Sequence, residues 1–106
     1  MTTFDKREKE AEAKYKRDEE LKFKVNARRN KLLGRWVAEQ MGHKGADAEA
    51  YAKQVVASDF DRPGDSDVVE KVLKDLHAKG VDMDEHRLRK EMTRLLEVAR
   101  QQLMAE

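Results

Sequence analysis

DKREKEAEAKYKRDEE (residues 5–20) runs directly into LKFKVNARRNKLLGRWVAEQM (residues 21–41), and the change of character at Leu21 decides how this chain folds. In the first part 13 of 16 residues are charged; the others are Ala11, Ala13 and Tyr15. Such a segment has no apolar face to bury within its own domain. Its charges still favour a helix. Asp5–Lys9, Glu10–Lys14, Glu12–Lys16 and Glu20–Lys24 each place an acid four residues before a base, worth about 0.2–0.5 kcal/mol per pair in an isolated helix. Helix nucleation is costly, so the segment alone flickers between helix and coil. From Leu21 onward apolar residues return at Val25, Leu32, Leu33, Trp36, Val37 and Met41. The reading is a marginally helical appendage, residues 1–20, tethered to a body over residues 21–106.

The body is punctuated by its breakers. Gly42, Gly45, Pro63-Gly64 and Gly80 divide it at three places. No stretch alternates apolar and polar residues as a strand would, and helix formers fill the intervals. Gly42 is placed to stop the first helix. Asp47 reads as the N-cap of a second, with Ala48, Tyr51, Ala52, Val55, Val56 and Phe60 on its apolar face. A third starts at Asp65 or Ser66, with Val68, Val69, Val72, Leu73 and Leu76 on one face. The fourth opens with Asp82-Met83-Asp84-Glu85, a capping-box pattern. Leu88, Met92, Leu95, Leu96, Ala99 and Leu103 make its stripe. Helices are expected at about 21–41, 48–61, 66–79 and 83–104. Short loops make the fold class all-α: an antiparallel four-helix, bundle-like body with an N-terminal charged arm, helical or disordered.

Composition narrows the function. The 106 residues are 42% charged and 39% hydrophobic, with no cysteine. Disulfides, thiolate zinc sites and cysteine nucleophiles are excluded. No apolar run approaches a membrane span, and charge follows Met1-Thr2-Thr3-Phe4 where a secretory signal would need an apolar region. A cytoplasmic soluble protein is the expectation. The net charge of +1 argues against a dedicated nucleic-acid binder. It conceals an asymmetry: residues 1–44 carry 13 basic and 8 acidic groups, and residues 45–106 carry 10 and 14.

Several clusters invite a functional reading. The arm is either a solvated charged tail or a segment that folds onto a partner. Mixed charge and a thin stripe of Phe4, Ala11 and Tyr15 favour the partner. The basic run Arg28-Arg29-Asn30-Lys31 either binds phosphates or pairs with the acidic second half, and no nucleic-acid-binding motif supports the former. Gly34 inside a helix implies close helix approach, with Trp36 nearby anchoring the core. Residues 59–70 imitate a calcium loop, with acids at loop positions 1, 3, 9 and 12 and Gly64 at 6. Pro63 and Ser66 break that pattern, and capping of the third helix explains Asp65 and Asp67 as well. His43, His77 and His86 lack metal-ligand spacing. Ser58 and Ser66 lack a nucleophile-elbow setting, and no phosphate loop is present. An enzyme is not expected, nor a cofactor or metal.

The residues also carry a resemblance. Phe4-Asp5-Lys6-Arg7-Glu8, Glu12-Ala13-Lys14-Tyr15, Asp18-Glu19-Glu20 and Ala27-Arg28-Arg29-Asn30-Lys31-Leu32-Leu33-Gly34-Arg35-Trp36 are its first half. Ala48-Glu49-Ala50-Tyr51-Ala52-Lys53-Gln54-Val55-Val56, Asp59-Phe60, Gly80-Val81-Asp82 and His86 continue it. The chain resembles, over essentially its whole length, the zeta subunit of the alphaproteobacterial F-type ATP synthase. That resemblance implies a four-helix protein whose N-terminal segment inhibits ATP hydrolysis by entering a catalytic α/β interface and touching the γ subunit. It implies a monomer peripheral to the inner membrane through the synthase, without nucleic acid or direct membrane insertion. Phe4 and Tyr15 would then be apolar anchors. Arg7, Glu8, Glu12, Lys14, Asp18 and Glu19 would be a charge-matched flank. Arg28, Arg29 and Lys31 would either touch the synthase head or pair internally. Competing readings are an interaction adaptor without an ATPase role, a synthase subunit with a vestigial arm, a nucleic-acid-binding accessory protein, and a nucleotide-binding regulator.

Overall fold

The computed structural model describes the backbone of residues 3–59 and 64–106, and the side chains of residues 18–59 and 64–106. It contains four helices: α1 (Thr3–Gln40), α2 (Ala46–Ser58), α3 (Ser66–Ala78) and α4 (Glu85–Ala105). Among the described residues there is no strand. The longest dimension is 65 Å against 26 and 21 Å. α1 accounts for most of it, since 38 residues at about 1.5 Å each make roughly 57 Å.

Each helix runs antiparallel to the next. Arg35 of α1 meets Glu49 of α2, and Asn30 meets Asp59 just beyond it. Tyr51 of α2 meets Asp75 of α3. Arg28 of α1 meets Gln102 and Glu106 at the end of α4. α1 therefore packs most heavily against α2 and α4 and least against α3, which lies across the bundle from it. Leu33, Val37, Val55, Val68, Val72, Leu76 and Leu88 are fully enclosed in the shared core. Trp36 is half-buried and packs against that core from its side.

The helix ends follow local chemistry. After α1, the N–H of His43 donates to the Ala38 carbonyl at 2.8 Å and that of Gly42 to Glu39 at 3.0 Å. After α3, the N–H of Val81 donates to Leu76 at 2.9 Å and that of Gly80 to His77 at 3.0 Å. Both are Schellman stops, and both need a left-handed residue, met by Gly42 (φ 85°) and Gly80 (φ 76°). Val81 adds the usual apolar contact by packing on the core. α4 is capped by Asp84, whose carboxylate accepts from the Arg87 N–H at 2.7 Å.

The starts of α2 and α4 and the cap of α3 differ from the sequence reading: α4 opens at Glu85 with Asp84, not Asp82, as its cap. α2 begins one residue before Asp47, with Gly45 at the cap position, so Asp47 acts through its charge in the first turn. At α3, Asp65 holds the cap position but makes no side-chain cap bond, because its carboxylate is taken by Arg29. Within the apolar stripes, Tyr51, Ala52 and Val55, then Val68, Val69, Val72 and Leu76, then Leu88, Met92, Leu95 and Ala99 are buried. Val56, Leu73, Leu96 and Leu103 are half-buried at the stripe edges. Phe60 lies outside the described residues.

Candidate interaction site

α1 leaves the bundle at its N-terminal side. Among the described side chains Val25 is the first that is buried, and every one from Asp18 to Lys24 is exposed. Those seven positions include two large apolar groups, Leu21 (45% exposed) and Phe23 (60% exposed). Sequence groups Leu21 with the apolar residues of the body, but it lies at the rim of an open groove shared with Leu96 and Arg100 of α4. Of the expected partner-binding residues, Asp18 and Glu19 are exposed on this stretch. Phe4, Arg7, Glu8, Glu12, Lys14 and Tyr15 have side chains outside the described residues.

The basic run lies two turns further along α1, and its members part company. Arg28 reaches the C-terminal end of α4, 3.0 Å from Gln102 Oε1 and 2.6 Å from Glu106 Oε1. Arg29 is 3% exposed and makes a bidentate pair with Asp65, Nη1 to Oδ2 at 3.0 Å and Nη2 to Oδ1 at 2.8 Å. Its Nε and Nη2 also donate to Asn30 Oδ1, at 3.0 and 2.8 Å. Asn30, 1% exposed, passes the chain on by donating from Nδ2 to Asp59 Oδ2 at 3.0 Å. The cluster thus clamps both ends of the α2–α3 connection to α1. Lys31, facing away, stays exposed.

A buried arginine is tolerable only because its charge is matched and its donors are used. Among the described residues every buried side-chain polar atom has a partner. Sequence allows for internal pairing of Arg28 and Arg29 but misses Asn30, the residue that joins Arg29 to Asp59. Asn30 follows two arginines in a polar run, and nothing local marks it as enclosed. Two carboxylates of the stretch that imitates a calcium loop are engaged here: Asp59, at its first position, by Asn30, and Asp65 by Arg29. Among the described residues no group of three or more such side chains is placed to hold a metal ion.

The hydrogen bonds from Arg29 hold the Asp65 carboxyl below the ordinary range; partial burial opposes this, and the charges of Arg29 and Arg89 reinforce it. A depressed folded-state pKa contributes stability that is present above the unfolded value, near 4, and lost as pH falls through the folded one. The expected result is a urea midpoint that drops below about pH 4. The Asp65→Asn variant drops less over the same interval. Equal slopes for the two proteins would refute this.

A second polar cluster ties α2 to α3. Tyr51 donates from its hydroxyl to Asp75 Oδ2 at 2.8 Å, and Lys71 Nζ lies 3.0 Å from the same oxygen and 5.4 Å from the Tyr51 ring centre. Burial, with the adjacent Asp75 carboxylate, pushes the Tyr51 hydroxyl pKa far up. His77 donates from Nε2 to the Met83 carbonyl at 2.8 Å and so pins the α3–α4 turn. These groups hold helices together.

The geometry defines a class: an all-helical protein whose polar clusters fasten its helices and whose longest helix carries an exposed extension. A structure solved by solution NMR is similar, at 47% identity and a TM-score of 0.73, covering 80% of this chain and 96% of that one. Comparison with curated proteins finds no match. The model of the family described as ATPase inhibitor subunit zeta matches residues 1–102, and the chain belongs to that family. The family is one of ATPase inhibitors, which are regulatory subunits, and its name supports an inhibitor role for the chain. Among the described residues no helix is long and apolar enough to cross a membrane.

Proposed function

We propose that the chain acts as a monomer on the F-type ATP synthase and blocks ATP hydrolysis with residues 1–20 as its inhibitory arm. The arm enters a catalytic α/β interface of the head, reaches the γ subunit and stops rotation in the hydrolysis direction. Rotation in the synthesis direction expels it. The supporting observation is the course of α1. One helix runs from the core at Val37 and Leu33 out to Thr3, and its described side chains are exposed from Lys24 back to Asp18. A helix continuous with a packed body begins from a propagated turn rather than a new nucleus, which lowers the ordering cost of docking. The body also keeps the arm close to its target and raises its effective concentration.

Phe4 and Tyr15 act as apolar anchors in this reading, with Arg7, Glu8, Glu12, Lys14, Asp18 and Glu19 as the charged flank. Arg28 and Arg29 have internal partners, so a second contact through the basic run falls to Lys31. The test is ATP hydrolysis by the purified synthase head, titrated with the full chain and with a variant lacking residues 1–19. The full chain inhibits and the shortened one does not. Phe4→Ala with Tyr15→Ala weakens inhibition by about tenfold or more, the usual effect of truncating buried aromatic anchors. Equal inhibition by the shortened chain would sink the arm mechanism. Binding without inhibition by either form would instead mark a structural subunit with a vestigial arm.

A further inference from the structure

Towards the opposite end of the bundled part of α1 lies a groove that the reading above does not use. Its floor is Trp36, beside Met83 of the α3–α4 turn. Its wall is the first half of α4, where Arg87, Lys90 and Arg94 line the rim at i, i+3 and i+7, with Glu91 and Thr93 between them. All three are exposed. Arg94 is paired with Glu91 on its own helix, whereas the Arg87 and Lys90 side chains have no acidic partner among the described residues.

We propose that this groove docks an acidic helical segment of a partner protein, with an apolar side chain over Trp36 and carboxylates along Arg87, Lys90 and Arg94. Charge complementarity and spacing carry the choice of occupant. Positions 87 to 94 span two helical turns, about 10.5 Å, so a facing helix with one acid per turn meets one cation per turn. The half-buried indole, backed by the buried Met83, offers an apolar seat of the kind that anchors a helix in a groove. A phosphate backbone fits less well. It has no apolar side chain to lay over Trp36, and it cannot set a base against Glu91, the one acid that lines the groove, as a peptide can.

The proposal stands apart from the arm mechanism. Trp36 is about 27 Å along α1 from Asp18, so both ends can be engaged at once. Two simultaneous contacts would make the second effectively intramolecular.

Trp36 is the one tryptophan in the chain, so its fluorescence reads the groove directly. The probe is a synthetic, tryptophan-free helical peptide of about 16 residues, with glutamate on three successive turns and one leucine between them. The full-length protein is titrated with it, and with a counterpart carrying lysine at the glutamate positions. The glutamate peptide shifts Trp36 emission saturably, and its affinity falls steeply as salt rises from about 50 to about 300 mM. Arg87→Glu with Lys90→Glu weakens it by about tenfold or more. Both positions are exposed and an acid at 87 suits the first turn of α4, so the variant keeps its helical circular dichroism. No saturable shift up to about millimolar peptide overturns the proposal. So does equal binding of the lysine peptide, or unchanged affinity in the variant. Sodium triphosphate that binds more tightly than the peptide and displaces it would reassign the groove to phosphate. Each of these results is independent of the hydrolysis assay.

Discussion

Gly34→Ala lowers the stability of the chain by about 1–3 kcal/mol, although alanine is the better helix former by about 1 kcal/mol. A Cβ built at Gly34 would lie 2.5 Å from the Ala52 Cα, 3.1 Å from its Cβ and 3.3 Å from its backbone nitrogen. The first of these is an overlap with backbone in the middle of α2, so no side-chain rotation relieves it. α1 and α2 must move apart at the point where Leu33, Val37 and Val55 interlock. The propensity gain is local, and the loss spreads across the largest helix pair. Urea unfolding followed by circular dichroism measures the difference. Adding Ala52→Gly removes the Ala52 methyl but leaves the closer overlap with the α2 backbone, so it does not restore the midpoint. A Gly34→Ala protein more stable than the parent would refute this account of the close approach.

Arg29→Ala is expected to cost about 2–4 kcal/mol, and Arg28→Ala less than about 1 kcal/mol. The two arginines are adjacent and chemically identical, so the contrast comes from position alone. Removing Arg29 leaves Asn30 Oδ1 enclosed without a donor, a loss of about 1–3 kcal/mol by itself. It also empties the space of a buried aliphatic stem. The Asp65 side chain is 42% exposed, so water recovers part of its loss, which keeps the total below the upper figure for a wholly enclosed pair. Arg28 pairs with Glu106, itself 57% exposed, where screening leaves little. Arg29→Lys does not rescue, because an ammonium cannot reproduce the bidentate fork and the bonds to Asn30 together. A double-mutant cycle with Asp65→Ala should give a coupling above about 1 kcal/mol. Costs for Arg28→Ala and Arg29→Ala within about 0.5 kcal/mol of each other would refute the division.

The parts of the chain legible in sequence are those whose causes are local. Gly42 and Gly80 fix helix ends because a Schellman stop needs a left-handed residue at that step. The stripes from Tyr51 to Val55, from Val68 to Leu76 and from Leu88 to Ala99 announce their buried faces by spacing. Boundaries moved by one or two residues where caps compete: Asp47 yields to Gly45, and Asp82 yields to Asp84. Of the candidate site, the exposed character of Asp18 and Glu19 followed from the lack of any apolar face around them.

Four helices, their order, and a first segment too charged to enclose a face of its own can be read from the residues in chain order. Helix propensity, capping and apolar periodicity act over a few residues, so they are written in short windows. That Arg29 and Asn30 are buried while Lys31 is not, and that Gly34 meets Ala52, follows from how the helices pack. Packing also brings Trp36 into one groove with Arg87 and Lys90. Those outcomes depend on pairs separated by 18 to 54 positions, such as Gly34 with Ala52 and Trp36 with Lys90. A polar side chain becomes a core residue only when a distant carboxylate arrives to satisfy it, and no local pattern records that arrival.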